Sequence, residues 1–177
     1  YKYYKIVVKD NYSLKKPLII YHTTNENLHL KNINLRLDFL LKKNSSLKLV
    51  DISKDLSEKN FINVLYNFEL KQDSILKNYK IDQKVNSNIK YSFNKIDQDT
   101  NSLSETFFFS SGSTFMKNEI NCNLKGKYSS AFINGIFSLS NKRHHEIRSR
   151  INHLIDNTKS YQLIKSVLDE ESKSAYQ

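Results

Sequence analysis

The sequence is short of several residue types on which whole classes of protein depend. Its 177 residues include one Cys, one Pro, three Gly and no Trp. A single Cys excludes an intrachain disulfide framework and a zinc site built from several thiolates. So little Gly and Pro excludes collagen-like and linker-like chains. The sequence also lacks a run of about 18 apolar residues, which argues against a membrane-spanning helix and predicts no membrane partner.

The chain nevertheless has enough apolar material for a core. Hydrophobic residues make up 38% of it and aromatic residues 12%, including 11 Tyr and 10 Phe. This composition argues against a disordered chain, and the length predicts one domain over residues 1–177. Because the sequence starts with Tyr and stops without a polar tail, we expect a partial domain, with N- and C-terminal parts of the full protein missing.

The positive charge is the next conspicuous feature. Lys and Arg number 28 and Asp and Glu 18, which gives a formal charge of +10. Only four of the cations are Arg, whose guanidinium is the usual phosphate-binding group, and the Lys residues are scattered along the chain. We therefore interpret the charge as a solvated surface and predict no nucleic-acid partner.

Apolar and polar residues alternate in several stretches, which is typical of half-buried β-strands. The clearest stretches are residues 33–39, 62–70, 89–93 and 116–124. In each we expect the apolar set, including the aromatic residues, to point inward. Helical signals are few: residues 53–60 fit a short helix or turn, and residues 161–168 are ambiguous.

The strand-like segments also recur at a nearly constant distance. One series begins near residues 61, 88 and 114, and a second, interleaved series begins near residues 45, 74 and 102. Two strands in each unit of 26 to 29 residues favour an all-β solenoid, a parallel β-helix with little helix. A β-sandwich is the alternative. With so few Gly and Pro, the corners must use Asn, Asp, Ser and Lys, of which Asn and Asp tolerate left-handed backbone.

Residues that could carry chemistry are few. In His144-His145-Glu146 neighbouring side chains on a strand point to opposite faces, and His145 and His153 share a face at a separation of roughly 26 Å. We predict core or corner histidines and no metal site. Cys122 lies in an apolar set and is predicted to be a small buried side chain rather than a nucleophile. No catalytic constellation is found.

The last third of the chain carries a more specific pattern. His153 is followed by Ser160-Tyr161-Gln162-Leu163-Ile164-Lys165, and Leu124-Lys125-Gly126 and Gly135 lie upstream. This arrangement resembles the core of the SufB/SufD family, the scaffold proteins of the SUF iron–sulfur cluster assembly system. The resemblance covers residues 17–177 and is closer to SufD than to SufB. The family-motif positions are His153, Ser160, Gln162, Lys165, Gly126 and Gly135.

The resemblance implies a right-handed parallel β-helix and a scaffold that is not an enzyme. Its implied partners are a SufB-like subunit and a SufC-like ATPase, in the cytoplasm. It implies an iron–sulfur cluster in the assembled complex and no cofactor bound by this segment alone, because the family's cluster-related positions lie beyond Gln177. The motif positions are expected to shape the coil. Two other functions stay open: a β-helix that binds or cleaves an acidic polysaccharide, and a basic nucleic-acid-binding module.

Overall fold

The protein is a stack of β-strands. The structure is a computed structural model that describes residues 2–24, 27, 29–55, 57–83 and 86–177, and it contains no helix in those residues. No part of the described chain therefore forms a helix with the length and hydropathy of a membrane span. The strands are β1 Lys2–Val8, β2 Leu18–Thr24, β3 Asn32–Leu41, β4 Ser46–Asp55, β5 Phe61–Leu70, β6 Ile75–Asp82, β7 Ile89–Gln98, β8 Leu103–Ser110, β9 Phe115–Leu124, β10 Ser130–Leu139, β11 His144–His153, β12 Lys159–Leu168 and β13 Lys173–Tyr176.

Alternate strands form two parallel sheets. The odd-numbered strands make a seven-stranded sheet in the order β1-β3-β5-β7-β9-β11-β13, and the even-numbered strands make a six-stranded sheet from β2 to β12. Every strand pairs in parallel with the strand two positions along the chain, so one odd and one even strand form a turn of a β-solenoid with about six turns. The predicted β-helix is confirmed, and the β-sandwich alternative is wrong because sandwich sheets are antiparallel.

The sequence repeat corresponds to the turns of the solenoid. The series predicted from residues 61, 88 and 114 is β5, β7 and β9, and the series from residues 45, 74 and 102 is β4, β6 and β8. For residues 53–60 a short helix or turn was predicted; residues 53–55 complete β4, the described residues 57–60 are not helical, and Lys59 has a positive φ, while residue 56 lies outside the described residues. The ambiguous residues 161–168 belong to β12.

Asparagine and aspartate shape one row of corners, as predicted. Each link from an odd strand to the next even strand contains a residue with positive φ: Asn11, Asn44, Asp73, Asn101, Tyr128 and Asn157. These residues stack, since the Asn44 amide donates to Asn11 Oδ1 at 2.9 Å and the Asn101 amide donates to Asp73 Oδ1 at 2.7 Å. Short amide and carboxylate side chains therefore supply both the left-handed backbone and its cross-turn hydrogen bonds.

The apolar core is densest between β3, β4 and β5. Phe39 and Phe68 stack with ring centroids 4.8 Å apart, and both are almost fully buried. Leu41, Leu49 and Leu70 fill the space around them. Full burial of each such side chain stabilises the fold by about 1.5–3 kcal/mol, so these turns are held mainly by the hydrophobic effect.

One sequence prediction about orientation is wrong. In β7 the aromatic residues Tyr91 and Phe93 point outward, whereas Lys90 and Asn94 are buried. The strand is in register with β5, where Phe68 pairs with Ile96, and Ile96 must face inward to continue that row. Because side chains alternate strictly along a strand, this phase brings the polar half of residues 89–94 into the interior.

Candidate functional site

From β6 onward the interior of the solenoid contains many polar side chains beside its apolar ones. The inward-facing side chains of β6 to β9 include Asn78, Lys80, Asp82, Lys90, Ser92, Asn94, Gln98, Ser104, Thr106, Ser110 and Asn118. We call this set, with the residues of neighbouring strands that it contacts, the polar band. Buried polar groups cost free energy unless they are paired, so the partners of each group determine what the band can do.

Asp51 lies at the N-terminal margin of the polar band. Its two carboxylate oxygens bind His22 Nε2 at 2.8 Å and the Tyr66 hydroxyl at 2.6 Å. Burial by itself would raise the pKa of Asp51, but the hydrogen bond and charge of His22, with contributions from Lys80 and Tyr66, hold it below its usual value. Burial and the charge of Asp51 raise the pKa of Tyr66 well above its usual value. The group is therefore a carboxylate held by a neutral phenol.

Lys80 places an amine beside this carboxylate. Its Nζ donates to Asn94 Oδ1 at 2.5 Å and lies 3.1 Å from the centroid of the Tyr66 ring, a cation–π contact. Burial lowers the pKa of Lys80 to about 7, although the charge of Asp51 opposes the shift. This amine therefore changes its charge near neutral pH, which is unusual for a lysine.

A second ion pair lies one turn further along. Lys90 Nζ is 2.7 Å from Asp82 Oδ1, and both side chains are nearly buried. The other carboxylate oxygen accepts hydrogen bonds from the hydroxyl and backbone amide of Ser113 at 3.0 and 3.3 Å. Each oxygen of Asp82 thus has a partner, which is the condition for an ion pair to be tolerated in an interior.

The two neighbouring histidines lie on opposite faces of β11, as predicted. His144 is on the outer face, where its Nε2 is 3.2 Å from Glu146. His145 is fully buried: its Nε2 contacts the Ser113 carbonyl at 2.7 Å and its Nδ1 contacts the Ser110 hydroxyl at 2.8 Å. Because a carbonyl only accepts, Nε2 carries the proton and Nδ1 accepts from Ser110. Burial lowers the pKa of His145, which favours this neutral form.

A cavity of about 80 Å³ is lined by Asp51, Lys80, Asp82 and Lys90, together with apolar side chains such as Phe108. Its volume suits a few water molecules and is far below that of a site for a drug-sized ligand. The cavity therefore has no room for an organic substrate.

Cys122 is buried, as predicted. Its thiol donates to Gln98 Oε1 at 3.2 Å, and Ser104 Oγ donates to the same oxygen at 2.6 Å. Burial raises the pKa of Cys122 to about 12, with Ser104 opposing and the charge of Asp97 reinforcing the shift. The side chain is a protonated thiol at neutral pH, which makes it a poor nucleophile and a poor metal ligand.

His153 and Ser160 meet across the corner between β11 and β12. His153 contacts the Thr158 hydroxyl through Nδ1 at 2.6 Å and the Ser160 hydroxyl through Nε2 at 3.0 Å. The structure thus brings two family-motif positions together around one imidazole, although both residues are exposed. The prediction that these two residues shape the coil is not tested directly. A hydrogen bond across the corner is what such a role would need.

The other motif positions of β12 point in different directions. Gln162 faces inward, and its Oε1 accepts from the Ser149 hydroxyl at 2.5 Å and the Tyr176 hydroxyl at 3.0 Å. Lys165 is exposed on the outer face of the same strand. The Ser160, Gln162 and Lys165 positions therefore do not form a single site.

The two glycines of the motif lie where backbone or ring approaches closely. A Cβ at Gly126 would lie 1.9 Å from the backbone nitrogen of Thr100, and one at Gly135 would lie 1.9 Å from the ring of Phe108. Gly135 pairs with Phe108 across β10 and β8, so the missing side chain leaves room for that ring in the core. Both glycines are thus required by packing.

Sequence reasoning missed the polar band. From the sequence we interpreted lysine and aspartate residues, including Lys80, Asp82 and Lys90, as solvent-exposed. The alternation of apolar and polar residues does not by itself show which half of a strand faces inward. The available signal was the repeat itself. Propagating the inward phase of Phe68 to Ile96 would have assigned Asn94 and Lys90 to the interior.

The site contains no assembled set of metal ligands. Among the described ranges, no three His, Cys, Asp or Glu side chains come close enough to hold a metal ion. His145 and His153 occupy the same unbroken strand, so no corner brings them together. The buried thiol of Cys122 donates a hydrogen bond to Gln98, which is not one of these four metal-binding residue types.

Comparison with known proteins identifies the family to which the chain belongs. The model of the family described as "SUF system FeS cluster assembly, SufBD core domain" matches residues 21–177. No curated protein and no solved structure matches the chain. The matched range covers most of the sequence and nearly all of the solenoid, including the His153–Ser160 corner and both packing glycines. The chain belongs to the SufBD core domain family of the SUF system for iron–sulfur cluster assembly.

Proposed function

We propose that this chain is the SufD-like, non-catalytic scaffold subunit of a SUF complex, pairing with a SufB-like subunit and a SufC-like ATPase in the cytoplasm. The family match over residues 21–177 carries the proposal. The cluster is the cargo of the complex. This segment contributes a rigid wall, and its partners contribute the ligands and the ATP hydrolysis.

The geometry of the solenoid supports a scaffold role. Successive turns are joined by continuous parallel ladders of backbone hydrogen bonds. Such a stack is suited to serve as a rigid support for partner proteins.

The distribution of reactive groups supports the non-catalytic part of the proposal. The thiol of Cys122 is buried with a pKa of about 12, and the cavity within the polar band is about 80 Å³. The thiol is therefore not available as a nucleophile to a substrate in solution, and the cavity is too small to admit an organic substrate.

Co-expression of the full-length gene product with SufB-like and SufC-like proteins from the same genome tests the proposal. We expect one complex on size-exclusion chromatography that contains all three subunits. Anaerobic reconstitution of this complex with iron and sulfide should give the visible absorption of an iron–sulfur cluster that can be transferred to an apo-ferredoxin. The full-length subunit alone should give no such absorption. Elution of this subunit apart from both partners would contradict the proposal.

The Cys122→Ser variant tests the scaffold role within the assembled complex. We expect unchanged iron and sulfide content, because the thiol is enclosed by the solenoid and is not ionised at neutral pH. An intact circular dichroism spectrum is the control for folding. Loss of the cluster from a folded complex would show that this chain supplies a ligand.

A further inference from the structure

The outer face of the even-numbered sheet carries an unusual concentration of apolar side chains. They form two adjacent rows that run across the strands, and we call them the apolar stripe: Ile19, Val50, Tyr79, Phe107 and Leu163 in one row, and Tyr21, Ile52, Ile81, Phe109 and Ile136 in the other. Asn134 and Lys165 are the polar members of the two rows. All ten side chains are half-buried or exposed, with Tyr21 51% exposed.

The corresponding face of the odd-numbered sheet is different. Its central rows carry mainly amide and charged side chains, as in the pairing of Asn34 with Asn63 and of Glu119 with Arg148. Leu65, Tyr91 and Phe93 are the apolar exceptions in these central rows, and Phe61, Ile89 and Phe115 form an apolar row at one side of them. The two faces belong to one solenoid with one composition, so the apolar stripe is a local feature rather than a result of overall bias. Contiguous exposed apolar surface of this kind marks interaction sites.

The dimensions of the apolar stripe match a single α-helix. Six strands at a spacing of about 4.8 Å give a length of roughly 24 Å, and the two rows lie about 7 Å apart. An α-helix rises 1.5 Å per residue and is about 10 Å wide, so about 16 residues would cover the stripe along the solenoid axis. Each even strand contacts mainly its neighbours in the ladder, and the ten side chains of the stripe keep part of their surface exposed.

Lysines border the apolar stripe on both sides. Lys48 and Lys77 lie along one margin, which Phe132 and Tyr161 continue, and Lys54 lies along the other. Lys165 lies within the stripe itself. Glu105, also on the first margin, is already paired with Lys77 at 2.9 Å. The charged side chains of the stripe and its margins are therefore mainly basic, and they complement an occupant with carboxylates beside its apolar side chains.

We propose that the apolar stripe docks an amphipathic α-helix of another polypeptide, about 16 residues long, whose apolar face is flanked by Asp and Glu. A second copy of this chain fits less well. Two apolar stripes face to face would place the lysines of one copy against those of the other, and like charges across an interface are unfavourable.

Site-specific photo-crosslinking in the full-length protein tests this proposal. The variant Phe107→p-benzoylphenylalanine places the probe in the apolar stripe, and Phe93→p-benzoylphenylalanine places it on the opposite sheet. After irradiation in cells, mass spectrometry of the Phe107 adduct should identify a segment of a different protein with apolar residues at i, i+3, i+4 and i+7 and neighbouring Asp or Glu. The Phe93 variant should not give this adduct. An adduct with a second copy, with lipid, with another segment of the same chain or with a segment lacking this pattern would overturn the proposal, as would the absence of an adduct.

A binding measurement tests the charge requirement separately. The probe is a 16-residue helical peptide with Leu on one face and Glu on the flanks, and its control has Lys in place of Glu. Titration of full-length protein, followed by fluorescence anisotropy, should give about tenfold tighter binding of the Glu peptide. Phe107→Ser should weaken that binding about tenfold, and Phe93→Ser should leave it unchanged. Equal affinities for the two peptides, or equal effects of the two variants, would contradict the proposal.

Discussion

The turns around β3–β5 and the turns around β6–β9 have the same backbone but different interiors: the first is mainly apolar, and the second mixes apolar side chains such as Ile96 with buried polar ones. In the first region the row from Phe39 continues through Phe68, with stacked rings. In the second, the row from Tyr66 continues through Asn94, whose amide donates to Asn118 Oδ1 at 2.7 Å. The same ladder of backbone hydrogen bonds runs through both regions. A solenoid can therefore replace apolar contacts with polar ones, provided that each polar group finds its partner on a neighbouring turn.

The two regions are stabilised in different ways. Apolar side chains gain from removal from water wherever they pack, and similar apolar side chains can replace one another at modest cost. The polar band must instead satisfy each donor and acceptor, and an unpaired group costs about 1–3 kcal/mol. In the described residues two buried atoms, Asn78 Oδ1 and Thr106 Oγ1, have no hydrogen-bond partner, and they lie on adjacent strands at paired positions. The stability of the polar band therefore depends on the exact placement of its hydrogen-bonding groups more than the stability of the apolar region does.

The largest effect should come from truncating the apolar region. Phe68→Ala removes a fully buried ring that packs on both Phe39 and Tyr66, and we expect a loss of about 4 kcal/mol in the free energy of unfolding. Denaturant unfolding followed by circular dichroism measures it. Leu65→Ala, on the outer face of the same strand, should cost less than about 1 kcal/mol. Similar costs for the two variants would show that β5 is not oriented by burial.

Breaking the buried ion pair should have the next largest effect. Lys90→Met leaves the carboxylate of Asp82 in the interior without its cation, and we expect a loss of about 3 kcal/mol. The control is Lys95→Met on the same strand, where the lysine pairs with Asp97 at the surface and the cost should be below about 1 kcal/mol. If the two substitutions lower the free energy of unfolding equally, the polar band is not a distinct interior region.

Lys80 should make stability depend on pH. The unfolded chain holds a proton on Lys80 up to a pH near 10.5, whereas the folded chain releases it near pH 7. Between these values the unfolded state binds more protons, so stability rises with pH. Lys80→Met removes this contribution, and the stability of the original chain minus that of the variant should increase from pH 7 to 10. A constant difference across this range would contradict the assigned environment of Lys80.

The smallest perturbation uses Cys122 as a reporter inside the polar band. Its side chain is fully buried and protonated at neutral pH, so a thiol reagent such as Ellman's reagent should not react with the native protein. In denaturant, one thiol per chain should react. Rapid labelling under native conditions would show that the polar band opens more readily than its hydrogen bonds imply.

Most of the fold could be predicted because the repeat and the strand alternation are local properties of the sequence. The interleaved series located β4 to β9, and the scarcity of glycine predicted corners such as Asn44 and Asp73 with left-handed backbone. The orientation of β7 could not be obtained in this way. Its sequence offers Tyr91 and Phe93 on one face and Ile96 on the other, and only pairing with β5 decides between them.

The candidate site was less predictable than the fold. The buried thiol and the separated histidines followed from the position of Cys122 and from strand alternation at His144 and His145. The partners of the polar band did not, because Asp51 and Lys80 belong to different turns and meet Tyr66 from the opposite sheet. Contacts between turns depend on register, which composition does not reveal.

The sequence by itself determined that this protein is a stack of short strands with a period of 26 to 29 residues and amide-rich corners. Its resemblance to the SufB/SufD family rested on the segment from His153 to Lys165, and the family match confirmed it. Only the tertiary structure decided which half of each strand faces inward. The physical reason is that alternation defines two faces of a strand, and the register with the neighbouring turn selects the buried one.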